Sequence, residues 1–174
     1  MKPQTFVFDA YGTLFDVHSA ILRSDSGISG DLPALSRLWR QRQLEYTWLW
    51  SLMERYRNFW SVTEVALRSA AAQLHITPSE SQLDSLMQAY LSLEPFPDAQ
   101  SVLEVLSGKT CAILSNGSTE MLNSVVRHNG FDSFFSKIIS MVLVQARRRR
   151  ARMERWNRSC QWKISSRDDI STGR

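Results

Sequence analysis

Phe6-Val7-Phe8-Asp9-Ala10-Tyr11-Gly12-Thr13-Leu14-Phe15-Asp16 opens with two aromatic residues around a β-branched one and then stops at a carboxylate. A short apolar run of this kind reads as a buried strand, and Gly12, three residues after Asp9, marks a turn. Asp9 is therefore expected at the carboxyl end of a strand, the edge of an open α/β sheet at which ligands bind. On the residues alone, an Asp in this place is as readily an Asx-turn former as a reactive group.

Downstream of this strand the pattern turns helical. Residues 17–31, with Gly27, Gly30 and several serines, read as a loose connection. Asp31-Leu32-Pro33 is a helix start, with a capping acid and a proline in the first turn. From Leu35 to about Tyr56, Leu35, Leu38, Trp39, Leu44, Trp48, Leu49, Leu52, Met53 and Tyr56 recur at helical spacing without a Gly or Pro between them. Ser61-Val62-Thr63-Glu64 reads as a capping box opening a second helix through about Leu74, and Thr77-Pro78-Ser79-Glu80 as another opening a third through about Leu91. Pro95 and Pro97 close this all-helical stretch. Asp98 is placed to cap a helix over 99–107 that Gly108 stops. Thr110-Cys111-Ala112-Ile113-Leu114 is a second buried strand, Ser115-Asn116-Gly117-Ser118 a turn, and 119–129 a helix stopped by Gly130. A third strand falls between Phe134 and about Val144. Alternating strands and helices imply a parallel α/β sheet. The long helical crossover between its first two strands divides the chain into a core of residues 1–14 and 97–145, a helical cap of residues 15–96 and a tail of residues 146–174.

Composition bounds the function classes. With 43% apolar residues in a chain of 174, a sizeable core forms and general disorder is excluded. No apolar run is long enough to span a bilayer, and the N-terminus shows no secretory leader. Cys111 and Cys160 form no metal or redox motif, and Cys111, inside an apolar run, is expected to be a reduced core residue. A cytoplasmic enzyme fits these features. The net charge of +4 is unevenly placed: residues 1–140 carry eleven Lys and Arg against fourteen Asp and Glu, a net −3, whereas residues 141–174 carry ten against three, a net +7. The basic character belongs to the tail alone.

The opening string resembles the first motif of the haloacid dehalogenase superfamily, in which the Asp is a covalent nucleophile. In the form Asp9-Ala10-Tyr11-Gly12-Thr13-Leu14-Phe15-Asp16 it is similar to the L-2-haloacid dehalogenase branch. Phosphatases of the superfamily carry a second Asp two positions after the first, where it helps hold Mg²⁺ or protonates a leaving alkoxide. Tyr11 stands there in this chain. A departing halide needs no proton, so Tyr11 argues for carbon–halogen chemistry without metal or cofactor. Ser115-Asn116 after an apolar strand resembles the second motif of the superfamily. Leu38-Trp39-Arg40-Gln41-Arg42-Gln43-Leu44-Glu45-Tyr46-Thr47-Trp48 resembles the dehalogenase cap helix. The resemblance covers residues 4 to about 140. It implies a Rossmann-like core with an inserted helical cap. Asp9 would be the nucleophile and Thr13 its hydrogen-bonding support, with Arg40 and Asn116 as halide acceptors and Ser115 beside them. Tyr11, Gln41, Leu44, Phe59 and Asn116 would line the substrate pocket. A guanidinium suits a leaving anion because its donors are fixed and its charge permanent; read without the motif, Arg40 would simply pair with a surface acid such as Glu45. His18, His75 and His128 match no catalytic position. The implied reaction converts a small 2-haloalkanoic acid and water to a 2-hydroxy acid and halide through an Asp9 ester. A homodimer is the assembly it allows, and neither a membrane nor a nucleic-acid partner is expected.

After Ser140 the family pattern of an acidic segment, a Lys-Pro pair and a Ser-Ser-Asn-x-x-Asp motif does not follow. Instead comes Ala146-Arg147-Arg148-Arg149-Arg150-Ala151-Arg152 and a polar tail. Ungapped counting puts the lysine position at or near Arg148, and Asp168 and Asp169 lack the context of the acidic motif. A frameshifted or prematurely ended reading frame is the favoured reading, ahead of a nucleic-acid-binding arm and of a helix replacing that of the family. The core is then expected to be incomplete beyond its third strand, leaving a sheet edge uncovered. Ester formation without sustained turnover follows from it. The alternatives to an active dehalogenase are a catalytically defective relative and another hydrolase of the superfamily, such as a phosphatase.

Overall fold

The structure, a computed structural model, describes residues 5–22, 27–55 and 57–141, all within one unit spanning Met1–Met141. Arg148, the arginine run, Cys160, Asp168 and Asp169 lie outside the described residues, as does Tyr56. Three parallel strands, β1 (Thr5–Phe8), β2 (Thr110–Ser115) and β3 (Lys137–Ser140), form one sheet in the order β1-β2-β3. Phe8 lies level with Ile113 and Ser115 with Ser140, so the carboxyl ends of all three strands fall on one edge. The α/β class and the parallel sheet read from the sequence are thereby borne out.

Between β1 and β2 lie the short helix α1 (Ser19–Leu22), the long α2 (Leu32–Leu52), then α3 (Phe59–Gln73), α4 (Glu80–Ala89) and α5 (Ala99–Val105); α6 (Thr119–His128) and a 3-10 turn at Asp132–Phe134 link β2 to β3. The chain leaves the sheet and returns side by side. Phe15 bridges Pro95 in antiparallel sense, Asp16 N–H donates to Glu94 O at 2.8 Å and Phe96 N–H to Leu14 O at 2.9 Å. One continuous core joins helices and sheet, with Phe15, Leu35, Leu67, Leu86, Leu103, Ile113 and Leu122 among its buried members. Cys111 is buried in β2 as a free thiol.

Helix ends depart from the sequence reading in instructive ways. Asp31 caps α2 as expected, its carboxylate accepting from Ala34 N–H at 2.9 Å. The second helix, however, begins at Phe59, and its cap is Asn58, whose side chain accepts from Ser61 N–H at 2.7 Å. Ser61 is thus inside the first turn rather than before it, and Phe59 is already helical when it enters the core. The capping box of α4 is Ser79 with Gln82, two residues later than the one read at Thr77. Asp98 stands at the N-cap of α5 but makes no side-chain cap bond. At the C-termini, α2 stops at Leu52, short of Tyr56, because Glu54 turns left-handed (φ 53°) and Arg55 N–H closes back on Trp50 O at 3.0 Å. His75 (φ 55°) does the same for α3, with Ile76 N–H on Ala71 O at 2.9 Å. These are Schellman caps on residues other than glycine; the glycines read from the sequence as stops, Gly108 after α5 and Gly130 after α6, both take a positive φ, 83° and 68°. Helix α1 falls inside the segment read as a loose connection.

β2 is buried as expected, but β1 is not. Val7 is 59% exposed and Phe6 and Phe8 are half-buried. Among the described residues β1 pairs on one side only. Its flank opens on an apolar groove of about 400 Å³ between Phe6 and Phe8 and the α5 residues Val102 and Val105.

The corrected caps make a direct test. Asn58→Ala is expected to lower stability by about 1 kcal/mol, whereas Ser61→Ala stays within about 0.5 kcal/mol, both by urea unfolding. The opposite ranking would restore Ser61 as the cap.

Candidate active site

Asp9 follows the last residue of β1 and is exposed at the carboxyl edge of the sheet. One of its carboxylate oxygens accepts from Ala10 N–H at 2.8 Å. The loop beyond winds tightly on itself: Ala10 O accepts from the N–H groups of Thr13, Leu14 and Phe15 at 3.3, 2.9 and 3.0 Å, and Gly12 N–H donates to Phe15 O at 2.9 Å. Gly12 carries the positive φ this winding requires, 88°. Thr13 is exposed in the same turn. At the end of β2, Ser115 is buried and Asn116 exposed. The turn they start is tied to β3 by Ser140 Oγ, which donates to Gly117 O at 2.6 Å.

Tyr11 points into the core. Its ring lies between those of Phe59 and Tyr90, with centroids at 5.5 and 5.4 Å. Gly117 makes room for it: a Cβ there would sit 2.6 Å from Tyr11 Cε2. Burial, followed by the neighbouring Tyr90 and the Asp9 charge, pushes the Tyr11 phenol far above its usual range. Burial also raises Tyr90, to about 12, against the opposing pull of Arg40 and Gln43, while Asp9 adds to the rise. Both phenols are therefore neutral, and both feel the Asp9 carboxylate. The Tyr11 hydroxyl is buried without a hydrogen-bond partner.

Arg40 reaches this loop from α2. Its Nη2 donates to Tyr11 O at 2.8 Å and its Nη1 to Gln43 Oε1 at 2.8 Å. A Cβ on Gly12 would lie 3.1 Å from Nη2, so the guanidinium rests against the backbone just after Asp9. It does not pair with Glu45, the surface acid considered for it. Glu45 takes Gln41 Nε2 at 2.8 Å and Arg42 Nη1 at 2.7 Å, and these bonds, the Gln41 amide foremost, hold its carboxyl below the usual range. Gln41 is accordingly exposed and engaged along the outer face of α2, Leu44 is half-buried, and Phe59 is buried against Tyr11.

The structure thus gathers the Asp9 loop, Tyr11, Arg40 and Phe59, with Ser115 and Asn116 at the same sheet edge. It also includes residues that sequence reasoning passed over: Gln43, Thr63 and Tyr90, all buried. The signal for Gln43 was its position on the buried stripe Leu35–Trp39–Gln43, where an amide must find partners. Among the described residues no group of three His, Cys, Asp or Glu is placed to hold a metal.

The family model described as haloacid dehalogenase-like hydrolase matches residues 3–148. The chain is 47% identical over 148 residues to (S)-2-haloacid dehalogenase H-109 of Pseudomonas putida, covering 83% of this chain and 66% of that one. It is 45% identical over 136 residues to (S)-2-haloacid dehalogenase 4A of Burkholderia cepacia, covering 77% and 59%. The L-2-haloacid dehalogenase of Xanthobacter autotrophicus, solved with chloropropionic acid covalently bound, superposes with a TM-score of 0.72 at 44% identity, over 79% of this chain and 56% of that one. The chain therefore spans roughly three-fifths of the length of the relatives it matches.

The orphaned phenol of Tyr11 makes a prediction. A buried hydroxyl without a partner costs about 1–3 kcal/mol. Tyr11→Phe is expected to raise the unfolding free energy by about 1 kcal/mol in urea. A loss of stability would mean that the hydroxyl is satisfied in solution.

Proposed function

The chain belongs to the haloacid dehalogenase-like hydrolase family, and we propose that it displaces halide from L-2-haloalkanoic acids with Asp9 as nucleophile. One Asp9 oxygen attacks the halogen-bearing carbon with inversion; the C–O bond forms as the carbon–halogen bond breaks, and the electron pair leaves with the halide. Arg40 and Asn116 receive the anion. Water then attacks the carboxyl carbon of Asp9, the ester opens, and a D-2-hydroxy acid leaves. Thr13 supports the nucleophile by hydrogen bonding, Ser115 stands beside it, and Tyr11, Leu44, Phe59 and Asn116 line the pocket, whereas Gln41, bonded to Glu45 on the exposed side of α2, would have to turn inward to join them.

The observation that carries this reading is the inward course of Arg40, a permanent cation laid against the Asp9 loop and held there by neutral acceptors. Its charge remains available to a leaving anion. Tyr11 supports halide over phosphate: the position at which phosphatases of the superfamily use a second carboxylate is filled here by a buried neutral ring. In the same reading residues 1–14 and 97–145 form the catalytic core and 15–96 the cap. The paired crossings at Phe15–Pro95 and Leu14–Phe96 support that division.

No helix among the described residues is long and apolar enough to cross a membrane; the reading places the protein in the cytoplasm. It also takes the protein as a homodimer. Support comes from the end of α2, where Trp48, Leu49, Leu52 and Met53 are exposed together.

The test of the nucleophile is a single turnover of excess chain on L-2-chloropropionate in ¹⁸O water, read by mass spectrometry. Label is expected in the Asp9 carboxylate, with none in Asp9→Asn; label in the hydroxy acid instead would mean direct attack by water. For the assembly, light scattering is expected to report a dimer that Leu52→Glu converts to monomer, and a monomeric wild type would end that part of the reading.

A further inference from the structure

Gln43 is fully buried on the core side of α2. Its Oε1 accepts two hydrogen bonds, from Arg40 Nη1 at 2.8 Å and from the Tyr90 hydroxyl at 3.0 Å. Its Nε2 donates to Thr63 Oγ1 at 2.7 Å, and Thr63 in turn donates its proton to Phe59 O at 2.7 Å. That last bond sets the direction of the whole chain. With its proton spent on a backbone carbonyl, the Thr63 hydroxyl can only accept, so the amide must present its nitrogen to Thr63 and its oxygen to Arg40. The reversed amide would set N–H against N–H on one side and oxygen against lone pair on the other. Thr63 is itself held, since its carbonyl accepts from Trp39 Nε1 at 2.8 Å across α2 and α3.

The chemistry of the acceptor is as informative as its placement. A guanidinium has five N–H donors. Gln43 and Tyr11 O take one each. The others are the donors an anion would meet. A carboxylate at position 43 would hold Arg40 equally well but cancel its charge. An amide holds it and leaves the charge whole.

We propose that Gln43 is a positioning residue for Arg40: oriented by Thr63 and Tyr90, it aims the guanidinium at the departing halide without neutralising it. This rests on the reading of Arg40 as the halide receiver. Gln43 touches neither the nucleophile nor the halide; it acts through Arg40.

Chloride binding to the full chain, read from quadrupolar line broadening of chloride resonance, tests the proposal without requiring turnover. Wild type is expected to bind chloride in a manner abolished by Arg40→Leu. Gln43→Leu is expected to weaken binding at least about tenfold, the loss that follows when a hydrogen bond to a charged group is removed. Gln43→Glu is expected to weaken binding near neutral pH and to recover it as the new carboxyl is protonated. That pH profile is absent from wild type and would not arise from a purely structural role. Should Gln43→Leu fail to fold, Thr63→Val, which keeps the volume but removes the acceptor that orients the amide, is expected to weaken binding severalfold. Folded Gln43→Leu or Thr63→Val with wild-type chloride affinity, while Arg40→Leu abolishes it, overturns the role of Gln43 alone. Chloride binding that is absent from wild type, or indifferent to Arg40, overturns the reading of Arg40 and the role of Gln43 with it.

Discussion

The Arg40 guanidinium on the carbonyl of Tyr11, at 2.8 Å, ties the cation of α2 to the sheet edge that carries Asp9. Without it α2 would still pack through Leu35 and Trp39, both buried, but its cation would have no fixed relation to the carboxylate. The contact needs a close approach, and Gly12 permits it by offering no side chain. Gly12 also supplies the left-handed φ that lets the loop close on Ala10 O. One residue thus serves the turn and the approach together, which gives this position a stronger demand for glycine than either role alone.

Around that contact the structure balances two kinds of interior. Trp39, Tyr90, Tyr11 and Phe59 form a run of ring contacts with centroids 5.2 to 5.5 Å apart, and each such pair contributes about 0.5–1.5 kcal/mol beyond its buried area. Threaded among the rings is a polar chain from Arg40 through Gln43 to Thr63. Polar groups in such a setting are stabilising only when satisfied, and here every member of the chain has partners. Beside the chain, the Tyr11 hydroxyl is buried without a partner. Its burial keeps the phenol neutral, so an aromatic wall stands where a second carboxylate would compete with an incoming anion for the charge of Arg40.

Two apolar surfaces lie away from the site, and they differ in origin. The groove beside β1 exists because, among the described residues, that strand has a neighbour on one side only. The patch at the end of α2 exists because the helix continues past the core before its left-handed cap at Glu54. Strand edges and apolar patches of these kinds are where protein surfaces recruit further chain.

Much was legible in the residues themselves. The apolar run ending at Asp9, the strand ending at Ser115 and the amphipathic periodicity of α2 are local patterns, and local patterns dictate element type because backbone geometry repeats every two or 3.6 residues. The parallel sheet followed from their alternation. What the chain alone did not decide depends on distant partners. Whether Arg40 would meet Glu45 on its own helix or the loop 29 residues earlier was a competition between an exposed ion pair of small value and a site that exists only once α2 lies against the loop that follows β1. Gln43 shares the stripe of Leu35 and Trp39, but its partners exist only once Thr63 and Tyr90 are folded around it. The burial of β1 was misjudged for the same reason: apolar sequence sets the preference of a strand, but only neighbouring chain removes it from water. The end of α2 falls short of the Tyr56 that the periodicity suggests, because the left-handed cap at Glu54, on a residue other than glycine, costs conformational energy that tertiary packing offsets, and no local pattern announces that packing.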